Sequence, residues 1–210
     1  MKLIVVIGIV VIVLTLIWII GQYIYVKYFI EKPSYSVESK HDGYQIRQYE
    51  PYLVASTVVP DNDQALNKGF SVVANYIFGG NTQNNKVAMT SPVLDERTSE
   101  TISMTSPVTD QRDGKGNRTV SFIMPSEYSL ETLPEPNSDK VVIEEVPAKR
   151  YAVIQFSGNY SDKTKEKYYK KLVSMLERDR IEYTSTWKSA GYDPPFTLPI
   201  LKRNEVWIEL

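Results

Sequence analysis

The sequence predicts an α+β fold: two pseudo-symmetric strand-strand-helix halves form one curved sheet or barrel with two helices packed outside, preceded by one transmembrane helix. Three observations carry this. An apolar run without a charge opens the chain at residues 3–21. Two segments about a hundred residues apart, entered at Ile46 and Ile143, repeat the order strand, turn, strand, helix. Between them the string Met-Thr-Ser-Pro-Val is written twice, at 89–93 and at 104–108.

The opening run is about 19 residues long, enough at ~1.5 Å each to cross ~30 Å of hydrocarbon. A cleaved signal peptide has a shorter apolar region and a small-x-small cleavage site, and neither is present. Tyr23, Tyr25 and Tyr28 with Lys27 then read as an interfacial aromatic belt with a snorkelling base. Residues 1–30 are therefore expected to be a single N-terminal membrane span and its flank, 31–42 a polar tether, and 43–210 the folded domain. Lys2 on one side against Lys27, Lys32 and Lys40 on the other is too small a difference to orient a single-pass protein, so the side of the membrane stays open.

From Tyr44 the pattern turns to strands. Residues 44–49 alternate sides, Glu50-Pro51 turns the chain, and 52–59 is β-branched and apolar. A helix follows in which Leu66, Phe70, Val73, Ala74 and Ile77 share one face, with Asp61 or Asn62 to cap its start and Gly79-Gly80 to stop it. The two Met-Thr-Ser-Pro-Val copies read as neighbouring strands with their proline ends at an edge. Next come a Gly- and Asn-rich loop at 111–118, a strand at 119–124 and an irregular proline-containing connection at 125–138. The second half supplies strands at 141–146 and 151–156, a helix capped by Ser161 and running through Leu172 and Leu176, and a final strand at 205–210.

Composition excludes several functions. The chain has 210 residues, 42% hydrophobic and 23% charged, which suits one globular core beyond the anchor. A net charge of -1, with no basic cluster interleaved with aromatics, offers nothing to a phosphate backbone, so nucleic acid is not an expected partner. The absence of cysteine removes disulfides, thiolate catalysis and cysteine-ligated metals together. Ser91 and Ser106 lack nucleophile-elbow glycines, and no carboxylate pair stands out by spacing, so no catalytic residue is assigned and the chain reads as a non-enzyme. The Gly79-Gly80-Asn81 turn follows a helix, whereas a phosphate cradle needs its glycines before one.

Several motifs in order resemble the SOUL family of haem-binding proteins. They are Tyr44-Gln45-Ile46-Arg47, Glu50-Pro51-Tyr52, Ile77-Phe78-Gly79-Gly80-Asn81, Met89-Thr90-Ser91-Pro92-Val93, Met124-Pro125-Ser126-Glu127, Ala190-Gly191-Tyr192-Asp193-Pro194-Pro195 and Arg203-Asn204-Glu205-Val206-Trp207. The resemblance implies a distorted β-barrel of two similar halves, and non-covalent binding of haem or a related porphyrin in an apolar cleft beside the first helix of the domain. Two positions depart from relatives. A histidine that some of them carry in the stretch matching 44–49 is Gln48 here, and bases that others place on the first helix are Asn67 and Asn75.

A porphyrin is an apolar disc with two carboxylates, so its site needs an apolar slot with bases at the mouth. Phe70, Val73, Ala74 and Ile77 are the candidate wall, with Met89 and Met104 as lining, although helical periodicity alone equally describes core residues. Arg47 and Lys86 are the candidate propionate partners. His41, the one histidine, is the candidate iron ligand, against the alternative of a solvated loop histidine. The reading from another class is a small-molecule effector domain of the same architecture whose cleft takes amphipathic cations or lipids. Acidic residues at the mouth would favour it.

Overall fold

A computed structural model describes residues 2–83 and 99–210. Helix α1 (Lys2–Tyr28) leads into β1 (Tyr35–His41), β2 (Tyr44–Tyr49), β3 (Tyr52–Pro60), α2 (Ala65–Ile77) and β4 (Asn81–Thr82). Strands β5 (Val108–Arg112), β6 (Asn117–Ile123), β7 (Glu135–Pro136), β8 (Val142–Val146) and β9 (Lys149–Phe156) precede α3 (Asp162–Arg178), β10 (Trp187–Gly191) and β11 (Asn204–Glu209).

Nine strands form one antiparallel sheet in the order β1-β2-β9-β11-β10-β5-β6-β3-β8. The duplication is visible in that order: β2-β3-α2-β5-β6 corresponds to β8-β9-α3-β10-β11. The halves meet where β10 pairs with β5, and each half lends its first strand to the other, since β2 lies on β9 and β8 lies on β3. Strands β2 and β3 are therefore not a hairpin. Tight two-residue hairpins need positive φ in the turn, and the Glu50-Pro51 link is poorly suited to that because proline is locked near -65°. The outer strands β1 and β8 have no pairing with each other, so the sheet curls as an open half-barrel rather than closing as the expected barrel. In the stretch expected as a tether, β1 is paired along β2.

Two helices pack on the convex face, one per half. Helix α2 lies on β3 and β6, where Ala55, Val120 and Phe122 meet Val73, Tyr76 and Ile77 in one buried cluster. The approach is close because residue 69 is glycine: a Cβ there would fall 2.5 Å from Val120 Cγ2. Helix α3 lies on β9 and β11, burying Leu172 and Leu176 against Ile154, Phe156, Val206 and Ile208. The opposite, concave face carries Tyr49, Tyr151, Val153 and Trp207 in a separate cluster, and neither helix covers it.

Two sequence expectations are corrected. Among the described residues no helix is long and apolar enough to cross a membrane, which overturns the expected transmembrane helix and single-pass membrane localisation. The second Met-Thr-Ser-Pro-Val copy is not a strand up to its proline: residues 102–107 are irregular and β5 starts only at Val108. Its Thr105 hydroxyl donates to the Ile123 carbonyl instead of leaving the backbone to form a ladder. The first copy, at 89–93, lies outside the described residues.

Candidate functional site

The apolar stripe of α2 folds as the spacing predicts, but most of it is core. Val73 is fully buried and Ile77 nearly so, and the space beside them is filled by Ile102, which is also fully buried. Ile102 is pinned there from both sides. Its N–H donates to the Ile77 carbonyl at 2.8 Å, and Phe78 bridges to Thr101. One residue further back, buried Asn81 donates to the carbonyls of Tyr76 and Glu100 and accepts from the Glu100 N–H at 2.9 Å. The segment after residue 99 is thus stitched onto the C-terminal end of α2, and the cleft expected beside Val73 and Ile77 is closed by it. Ala74 is half-buried against the same cluster, and Phe70, partly exposed, packs its ring 5.0 Å from Phe122.

An opening survives past the end of that helix. A groove of about 690 Å³ is bounded by Phe78, Ile102, Met104, Pro125, Pro194 and Phe196, with Tyr25 and Phe29 contributing from the end of α1 and the residue that follows it. Phe78 and Phe196 are 60% and 62% exposed and Met104 is 39% exposed, so apolar surface at this rim faces outward, with the Trp18 ring of α1 lying 6.3 Å from that of Phe196. The volume falls within the ~300–1,000 Å³ usual for small-molecule sites. Charge at the rim comes from Glu31 and Glu127. Glu31 is partly spoken for, since its carboxylate accepts from the Ser126 N–H at 2.8 Å.

The structure does not bring the other candidates to this groove. Arg47 is buried on the concave face, its Nη1 3.1 Å from the fully buried carboxylate of Glu205 and 3.3 Å from the Tyr49 hydroxyl. Burial pushes the Glu205 carboxyl up, but Arg47 and Arg203 outweigh it and hold it below the usual range. Tyr192 and the Trp207 indole N–H complete that carboxylate's shell at 2.8 and 2.7 Å. Arg47 therefore neutralises a core acid and is not free to clamp a propionate. His41 sits where β1 reaches the C-terminal end of α3. Its Nε2 lies 2.9 Å from Ser39 Oγ, its Nδ1 3.5 Å from Asp179, and its ring stacks on Tyr44 at 4.5 Å. Both nitrogens have protein partners on the half of the molecule that α2 does not cover. Lys86 and Met89 lie outside the described residues.

Sequence reasoning missed Phe78 and Phe196. Phe78 falls off the helical stripe but stands immediately before Gly79, whose φ of +111° ends the helix and swings the chain away, leaving the ring at the corner. Phe196 is flanked by Pro194, Pro195 and Pro199, and a segment so punctuated cannot enter a sheet that would bury it. An aromatic beside a helix-stopping glycine and one inside a proline-rich turn were the available signals.

The SOUL heme-binding protein family matches residues 30–209. The chain belongs to that family. This SOUL protein is 30% identical to mouse heme-binding protein 2 over 85% of its own length and 85% of the relative's. It is 31% identical to human heme-binding protein 2, over 79% of this chain and 77% of that one, and 28% identical to frog (Xenopus laevis) heme-binding protein 1, over 81% and 86%. Among solved structures, the EcmrR C-terminal domain superposes with a TM-score of 0.55 at 13% identity, covering 79% of the SOUL chain and 96% of that domain, a likeness of fold.

The SOUL groove can be tested against a porphyrin on its own residues. Phe78, Ile102, Met104, Phe196, Tyr25 and Phe29 give it an apolar and aromatic wall interrupted by Thr101, Ser103, Thr105 and Ser126, and its volume of about 690 Å³ is of the size a macrocycle needs. Neither His41 nor Arg47 reaches it, and its one described sulfur, Met104, is a weak iron ligand. The residues fit the macrocycle through apolar contact and not through a histidine bond to iron.

Proposed function

We propose that this protein is a non-enzymatic binder of haem or a related porphyrin, held for buffering or transport in the groove at the C-terminal end of α2. The observation that carries the reading is the outward-facing apolar rim of Phe78, Met104 and Phe196 around an open groove, in a chain of the SOUL family. Phe78 and Phe196 would flank the disc, Ile102 would form the floor and Met104 would close one side. A bound haem supplies redox-active iron and a strong chromophore. The protein's own residues supply apolar and aromatic contact to the faces of the disc, while the rim carboxylates Glu31 and Glu127 offer the propionates no partner.

Titration of the full chain with hemin tests this. A saturable change of the Soret band at micromolar hemin is expected, weakened about tenfold or more in Phe78→Glu and unchanged in His41→Ala. The absence of any spectral change at tens of micromolar would remove the reading.

A second reading is supported by the same two carboxylates: a groove with an apolar wall and acids at its mouth also suits an amphipathic cation. Rhodamine 6G binding that hemin does not displace, and that falls in Glu127→Gln, would favour it over the porphyrin.

A further inference from the structure

The concave face of the sheet holds a cavity that the reading above does not use. It measures about 310 Å³ and lies where the two halves meet, on the side of the sheet away from both helices. Its walls differ because the two halves present different side chains to it. From β5 and β6 come Thr109, Gln111, Thr119 and Ser121, the inward partners in an alternation whose outward residues, Asp110, Val120 and Phe122, are buried on the convex side. From β9 and β11 come Tyr151 and Trp207 together with the Lys149–Glu209 ion pair, and Glu144 lines the cavity from β8. One side is small and hydroxylated, the other aromatic.

Lys188 stands between them. It is paired with Trp207 across β10 and β11, and its ammonium lies 5.0 Å from the Trp207 ring, 4.7 Å from Tyr151 and 5.7 Å from Tyr52. Its Nζ donates to the Tyr52 hydroxyl at 3.0 Å. Among the described residues no carboxylate comes within ion-pair distance of it: Glu209 is bonded to Lys149 at 2.8 Å, and Glu144, which lines the cavity from β8, makes no ion pair with it. Ring faces compensate a desolvated ammonium only in part. Burial, and then Lys149, accordingly lower the group to about 8 against the pull of Glu209. At Lys188 a cationic ligand would meet a like charge, whereas an anion would pair with an ammonium that neither Glu144 nor Glu209 reaches.

We infer that the concave face is a second ligand site that takes a small aromatic carboxylate, with its ring on Trp207 and Tyr151 and its anion on Lys188. The cavity is less than half the volume of the groove beyond α2, so it suits one or two fused rings and excludes a porphyrin. Hydroxyls of Thr109, Thr119 and Ser121 supply donors for the second carboxylate oxygen.

The probe is 2-naphthoate, titrated calorimetrically into the full chain, with 2-naphthylmethylammonium as its charge-reversed counterpart. Naphthoate is expected to bind at least tenfold tighter than the cation. Lys188→Met should lower naphthoate affinity at least tenfold. Ser121→Phe, which fills the hydroxylated wall and keeps Lys188, should do the same while leaving the hemin titration unchanged. Equal or tighter binding of the cation, no binding of naphthoate, or full affinity in the Ser121→Phe variant would overturn the assignment.

Discussion

Helix α3 has a side-chain cap at its start and a complementary charge at each end, whereas α2 has none of these, and its last carbonyls are taken by Asn81 and by the backbone of Gly80 and Ile102. The hydroxyl of Ser161 accepts from the Thr164 N–H at 3.3 Å at the start of α3, Asp162 stands in its first turn and Arg178 in its last, as the helix dipole favours. Its single buried cation, Lys165, reaches through to Asp110 at 3.0 Å and Asp162 at 2.8 Å. The first turn of α2 has no acid, its last turn no base, and Gln64 ahead of it makes no side-chain cap. Asn62 accepts from the Gln64 N–H at 2.9 Å, forming a turn before the helix and not the cap expected from the sequence. Two copies of one unit thus divide the labour. The α3 half is locked by charge, and the α2 half ends in exposed Phe78, beside which the groove opens.

The largest expected effect breaks the lock. Asp110→Ala leaves Lys165 buried without one of its two acids and removes a partner of the Tyr160 and Ser189 hydroxyls, at 2.8 and 2.6 Å, so it should destabilise by about 3–5 kcal/mol in urea unfolding. Next, the two apolar residues at the end of α2 should separate. Ile77→Ala should cost about 2–5 kcal/mol because Ile77 is core, whereas Phe78→Ser, at a ring 60% exposed, should change stability by less than about 1 kcal/mol and appear instead as weaker hemin binding. Equal destabilisation by the two would show that Phe78 is structural. The smallest effect tests the caps: Ser161→Ala should cost about 1 kcal/mol in the same unfolding measurement, and Gln64→Ala close to nothing.

Much of the architecture was legible in the sequence because it is written in local period. The strands near 44–49, 52–59, 119–124 and 151–156, the face of α2 and the Ser161 cap all follow from side-chain alternation or from a residue and its near neighbours. The internal repeat was legible for the same reason, one pattern occurring twice. The exchange of β2 and β8 between the halves was not, because pairing is chosen by which buried faces fit after the chain has turned.

The candidate site shows the same boundary. The stripe Phe70, Val73, Ala74 and Ile77 follows from spacing, yet whether it lines a cleft or fills a core depended on Ile102, delivered from 25 positions beyond Ile77 by a hydrogen bond to its carbonyl. Arg47 reads as a free base until Glu205, 158 positions away, claims it, and His41 as a free ligand until Asp179 and Tyr44 do. By itself the sequence determined the family, the two-part α+β plan and the apolar character of α2, since each rests on residue type at fixed short spacing. Only the tertiary structure decided which charges are consumed and where open space remains, because an ion pair and a void are both properties of residues that the chain brings together from afar.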